Sequence, residues 1–130
     1  MSTQKNTLPK LLGWVNIGLG IVLFLGYWVY LPMPEKFAST SHPDPGMILY
    51  ALATAGGAFV AWGMLLRGVT TDGISRTTLF KASAAGFGLL GLMRLGTALF
   101  PHPPFDHMLA VPIVECLVFC GLSVYLFKSA

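Results

Sequence analysis

Residues 79–127 read LFKASAAGFGLLGLMRLGTALFPHPPFDHMLAVPIVECLVFCGLSVYLF, two long apolar runs joined by a short proline-rich link. An α-helix rises about 1.5 Å per residue and the hydrocarbon core of a bilayer is about 30 Å thick, so about 20 predominantly apolar residues cross it. The first run, from about Leu79 to Phe100, and the second, from about His107 to Phe127, both have that length. The link Pro101 to Asp106 is short enough that the two helices must fold back on one another. Within them stand Arg94 and Glu115, the only charges that a membrane would have to accommodate at depth. A charge near the bilayer centre costs roughly 2.5 to 3.5 kcal/mol on insertion scales, so both are expected to face the protein interior and to meet a partner there.

The same ruler laid on the first half finds two more helices, from about Leu11 to Leu31 and from about Gly46 to Leu66. Between them lies a loop with Pro32, Pro34, Pro43 and Pro45, and the polar turn Arg67 to Thr78 leads into the third helix. The expected fold is therefore all-α, a single domain over residues 1–130 built as an antiparallel, up-down-up-down bundle of four transmembrane helices. Composition agrees: 55% of the 130 residues are hydrophobic and only 10% are charged, with a mean hydropathy of +0.71. That is too much apolar surface for one small soluble core. The first apolar run is longer than the hydrophobic stretch of a signal peptide and no small-residue cleavage pattern follows it, so it reads as a retained helix.

Basic residues set the expected orientation. Lys5, Lys10, Arg67, Arg76, Lys81 and Lys128 fall on one side and only Lys36 on the other, which places both termini in the cytoplasm of a bacterial cell, with the chain multi-pass in the inner membrane. The opposite side gathers Glu35, Asp44, Asp106, the three histidines, and the aromatic residues Tyr27, Trp28, Tyr30 and Phe105. The formal charge of +3 is spread over loop ends without a long basic run, so lipid headgroups are the expected partners and nucleic acid is not.

Depth joins the two buried charges. Arg94 precedes Phe100 by six residues, about 9 Å, and Glu115 follows His107 by eight, about 12 Å, so the two side chains can meet. Pro112 lacks an N–H and is expected to leave the Met108 carbonyl as a spare acceptor nearby. Tyr50 and Thr54 occupy the same half of the second helix, Tyr27 the same half of the first, and Thr97 the turn after Arg94. The candidate cluster is Arg94, Glu115, Tyr50, Thr54, Tyr27 and Thr97. It reads first as a buried pair that fixes the third helix against the fourth. The competing reading is a ligand site for a polar headgroup, a quinone carbonyl or a transported proton.

Small residues at four-residue spacing, Ala53, Gly57 and Ala61 in the second helix and Ala84 and Gly88 in the third, are expected to bring helices of this chain close together. His42, Asp44, His102, Asp106 and His107 share one side but match no metal-ligand spacing, and the histidines read as solvated loop residues, so no metal is expected. Cys116 and Cys120 are one turn apart and read as small apolar packing residues. Nucleophile-elbow, zincin, P-loop and dinucleotide motifs are lacking, which points away from catalysis. The first helix carries no acid, unlike that of small multidrug exporters.

Leu92-Met93-Arg94-Leu95-Gly96, followed by a short proline-rich loop and an apolar helix bearing Glu115, resembles the C-terminal half of a bacterial four-helix membrane family of unknown function related to DoxX. Gly56-Gly57-Ala58-Phe59 with Gly63 is similar to that family's glycine-rich second helix. The resemblance implies a four-helix fold, and by way of DoxX an association with quinone-linked chemistry alongside other subunits; Arg94, Gly96 and Glu115 are the residues that match. Two functions are thus expected of the chain. The first is a small non-catalytic accessory or structural subunit of a respiratory or photosynthetic membrane complex, with lipid or quinone in contact but no cofactor required. The alternative is a stand-alone DoxX-like protein binding quinone or another small molecule through Arg94 and Glu115.

Overall fold

A computed structural model describes residues 7–37 and 44–130. Among them run four α-helices, α1 Thr7–Tyr30, α2 Pro45–Arg67, α3 Arg76–Leu99 and α4 Ala110–Ser129, each long and apolar enough to cross a membrane. Short 3-10 turns at Pro34–Phe37 and Phe105–His107 occupy the connections. Lys5 and His42, invoked above for orientation and metal binding, lie outside the described residues.

Local chemistry explains the helix ends. Asp44 caps α2 by accepting from the Met47 N–H at 3.2 Å, with Pro45 in the first turn where no donor is needed. Ser75 caps α3 by accepting from the Thr78 N–H at 3.1 Å, and Pro101 follows the last residues of that helix. The fourth helix begins at Ala110, not near His107 as expected, because residues 105–107 wind as a 3-10 turn closed by Asp106 N–H on the His102 carbonyl and Met108 N–H on the Phe105 carbonyl. This moves Pro112 into the first turn of α4. The Met108 carbonyl is consequently not spare: it accepts from Val111 N–H at 3.0 Å.

The helices pack in chain order. α1 lies along α2, α2 less extensively on α3, and α3 along α4, while α1 touches α3 slightly and makes no extensive contact with α4. The bundle expected from the sequence is thus open on one side. In α3, 44% of the spanning segment is buried, against 6% in α4, so the third helix is the centre and the fourth an outer flange. Contacts order the helices against each other: Gly13 meets Gly63 and Arg67, Gly56 meets Gly20, and Gly46 meets Tyr30. Thr77 donates to the Ala130 carbonyl at 3.1 Å and Gly68 packs on Thr78, which collects Arg67, Arg76, Lys81 and Lys128 at one end. The aromatic core of Tyr27, Tyr30, Leu31, Ala53 and Met93 sits toward the other.

The closest helix approach uses glycines that the four-residue stripe did not single out. Gly13 and Gly20 on α1 face Gly63 and Gly56 on α2, each pair seven residues apart; a Cβ built on Gly56 would stand 2.6 Å from the Gly20 carbonyl oxygen. Gly57 turns instead toward Gly86 of α3, where a Cβ would meet the carbonyl at an ordinary 3.5 Å. The stripe does serve intramolecular packing, since Ala61 also meets Gly86 and Gly88 meets Ser123. Two adjacent glycines therefore carry opposite expectations. Gly56→Ala should destabilise the protein by about 1 to 3 kcal/mol through overpacking, whereas Gly57→Ala should change stability by less than about 0.5 kcal/mol, as read by denaturant unfolding in detergent. Equal effects would contradict this packing of α1 on α2.

Candidate functional site

Arg94 belongs to the buried surface of α3, toward its C-terminal end, and is itself only 9% exposed. It precedes Leu99 by five residues, and Glu115 follows Ala110 by five, so both lie about 7.5 Å inside their helices at matching depth. Arg94 Nε and Glu115 Oε2 are 2.7 Å apart. The contact is short but poorly aligned, and neither atom, nor Arg94 Nη1, completes a directed hydrogen bond among the described residues. The pair is therefore held by charge more than by a bidentate fork. The guanidinium carbon lies 4.4 Å from the centroid of the Tyr50 ring and 5.9 Å from that of Phe119. One cation thus ties α2, α3 and α4 together through two ring faces and a carboxylate.

A second polar assembly lies beside the first. The Tyr27 hydroxyl is 2.6 Å from Thr97 Oγ1 and 2.7 Å from His102 Nε2. Thr97 Oγ1 is 3.0 Å from the Met93 carbonyl, and His102 Nδ1 is 3.0 Å from the Pro103 carbonyl, which can only accept. These four contacts require four protons. Thr97, Tyr27 and a neutral imidazole supply three, and an imidazolium supplies four. With the Thr97 hydroxyl donating to the Met93 carbonyl, the neutral form runs from His102 Nε2–H to the Tyr27 oxygen and from the Tyr27 hydroxyl to Thr97 Oγ1, leaving only the Nδ1 contact without a proton.

Aromatic rings wall this network in. The His102 ring is edge-on to Tyr27, Tyr30 and Phe105 at 5.8, 5.9 and 5.5 Å between centroids. Tyr50 joins the two assemblies, 5.9 Å from Tyr27 on one side and under Arg94 on the other. Gly46 is required here, since a Cβ would stand 2.7 Å from the Tyr30 hydroxyl and 2.9 Å from His102 Nδ1.

Of the six candidate residues, Arg94, Glu115, Tyr50, Tyr27 and Thr97 come together. Thr54 stands apart, its hydroxyl donating to the Tyr50 carbonyl of its own helix at 2.9 Å and reaching only Met93 Sδ at 3.7 Å. His102 is the residue that sequence reasoning missed: expected to be solvated, it is 6% exposed and central. Pro101, Pro103 and Pro104, three residues without N–H groups, confine the link against the helix ends, but the same prolines would flank a solvated histidine. His107 does behave as a surface residue, 3.7 Å from Asp106. No group of three metal-ligating side chains gathers among the described residues. Cys116 and Cys120 are free thiols, and Cys120 Sγ fills the space left by Gly91.

Chemically the site is closed. Tyr27 and Thr97 have no exposed surface, and a shallow surface recess of about 340 Å³ lined by Ala110, Val111, Val114 and Glu115 lies beside the ion pair. The Glu115 side chain is 37% exposed there, a carboxylate on an otherwise apolar face. The arrangement accordingly generates two stability expectations in mild detergent. Glu115→Gln should cost about 3 kcal/mol, because the buried guanidinium loses its counter-charge, while Arg94→Met with Glu115→Leu should cost much less. Tyr27→Phe should cost about 1 to 3 kcal/mol by stranding His102 Nε2. Equal loss in the single Glu115 variant and the double variant would contradict the pairing. No protein-family model matches this chain, and neither a curated protein nor a solved structure does.

Proposed function

We propose that the protein is a small non-catalytic subunit of a larger membrane complex, docking through α4 onto the helices of partner subunits. In this reading the chain is an antiparallel up-down-up-down bundle in the bacterial inner membrane, with both termini cytoplasmic, an orientation supported by the basic residues at the end holding Lys81 and Lys128. The observation that carries the proposal is Glu115. Its side chain is 37% exposed about 7.5 Å inside a helix whose surroundings are Val111, Val114 and Leu117, although Oε2, the oxygen on Arg94, is buried. An acidic side chain partly open to lipid tails is unfavourable, whereas a hydrogen-bond donor on a neighbouring subunit satisfies it. The nearly unburied α4, apolar all round, gives that neighbour a surface to pack on.

A second reading rests on the buried Arg94 Nη1, which has no acceptor among the described residues. A neutral carbonyl ligand, such as the quinone suggested by the resemblance to the DoxX-related family, would supply one. The same experiment separates the two: gentle native purification from the source membrane, with mass spectrometry of co-eluting proteins and extracted small molecules. Recovery in fixed ratio with larger subunits, lost in Glu115→Leu, is the expected result. Recovery alone with a stoichiometric small molecule would overturn the subunit reading in favour of the ligand site.

A further inference from the structure

At the opposite end from the aromatic core, the open side of the helix array forms an apolar groove of about 660 Å³. Its floor is α3, where Ala85 and Gly88 keep the surface low. Ile21 of α1 and Met64 of α2 form one wall, and Val124 and Phe127 of α4 the other. The groove exists because α1 and α4 make no extensive contact. Along α3 it runs from Lys81 to Leu92, about 16 Å, half of a hydrocarbon core about 30 Å thick and so the depth of one leaflet.

The interior of the groove offers nothing to a polar ligand. The one hydroxyl lining it, Ser123, donates to the Ala84 carbonyl at 2.7 Å. Its mouth is the opposite: Lys81 and Lys128 both line that end, both are exposed, neither forms an ion pair among the described residues, and no carboxylate lines the groove. Two ammonium groups above a leaflet-deep apolar channel match a molecule with an anionic head and a long alkyl tail.

We propose that this groove is a binding site for an anionic phospholipid, with one acyl chain between α1 and α4 and the phosphodiester headgroup against Lys81 and Lys128. The site is independent of the partner surface around Glu115, which lies toward the other end of α4. Lipid seated here supplies the α1–α4 contact that the helices do not make themselves, and closes the array.

Native mass spectrometry tests this on the full chain in a neutral detergent, with dioleoyl phosphatidylglycerol or dioleoyl phosphatidylcholine added in equal amounts. The anionic lipid should be retained about tenfold more strongly, and Lys81→Ala with Lys128→Ala, both at exposed positions, should abolish that preference. Ala85→Phe, which fills the floor, should reduce retention of both lipids with helical content unchanged. Equal retention of the two lipids by the wild type, or a preference that survives loss of both lysines, would overturn the proposal. So would displacement of the lipid by soluble glycerol phosphate, which marks a headgroup site alone, or occupancy by a second copy of the chain.

Discussion

A guanidinium enclosed among helices is the constraint around which the half of this protein holding the aromatic core is arranged. Arg94 cannot reach water from the buried surface of α3, so its charge has to be met from within: by the Glu115 carboxylate of α4, by the face of Tyr50 from α2, and more distantly by Phe119. Tyr50 belongs to the α2–α3 seam, and Glu115 and Phe119 to the α3–α4 seam. Removing the cation would leave the α2–α3 and α3–α4 seams without their shared anchor, and removing the carboxylate would leave an uncompensated charge. The Tyr27, Thr97 and His102 network extends the same logic to α1 and to the link before α4, where hydroxyl and imidazole groups meet one another and the Met93 and Pro103 carbonyls.

The rest of the array depends on how little side chain stands between helices. Glycines seven residues apart on α1 and α2 let the two backbones approach until carbonyl oxygens nearly touch the opposite Cα positions, which makes this the tightest seam. The α3–α4 seam uses Gly88 and Gly91 against Ser123 and Cys120. No comparable small-residue match exists between α1 and α4 among the described residues, and the array stays open there. Openness then has two consequences: α4 is left as a flange with apolar residues on nearly every side, and a groove runs along α3. The proposed subunit contact and the proposed lipid site occupy these two features at opposite ends.

The four helices were legible because crossing a bilayer imposes a length and a polarity that few other constraints reproduce. The pairing of Arg94 with Glu115 was legible for a related reason: two opposite charges at similar depth on consecutive helices have no cheaper solution. His102 was not legible, because a histidine between prolines near a helix end has the same local signature whether it is solvated or folded inward. Thr54 was misjudged for the opposite reason. Its depth was right, but a threonine in a helix can satisfy its hydroxyl on the carbonyl four residues back, and a sequence does not say which option wins.

By itself the sequence determined that the chain is all-helical, that it has four segments able to span a membrane, and that its two deep charges need each other. These follow from local composition and from energies too large to be overridden by context. Only the tertiary structure decided that the array is open, that glycines at seven-residue spacing form its closest seam, that His102 belongs to the core, and that the Glu115 side chain is partly exposed on the lateral surface. Those outcomes depend on the rotation of each helix about its axis and on which faces meet. In α4 the apolar residues run around the whole circumference and leave Glu115 as the main mark of an inward face, so the helix's exact rotation is set only when the helices pack.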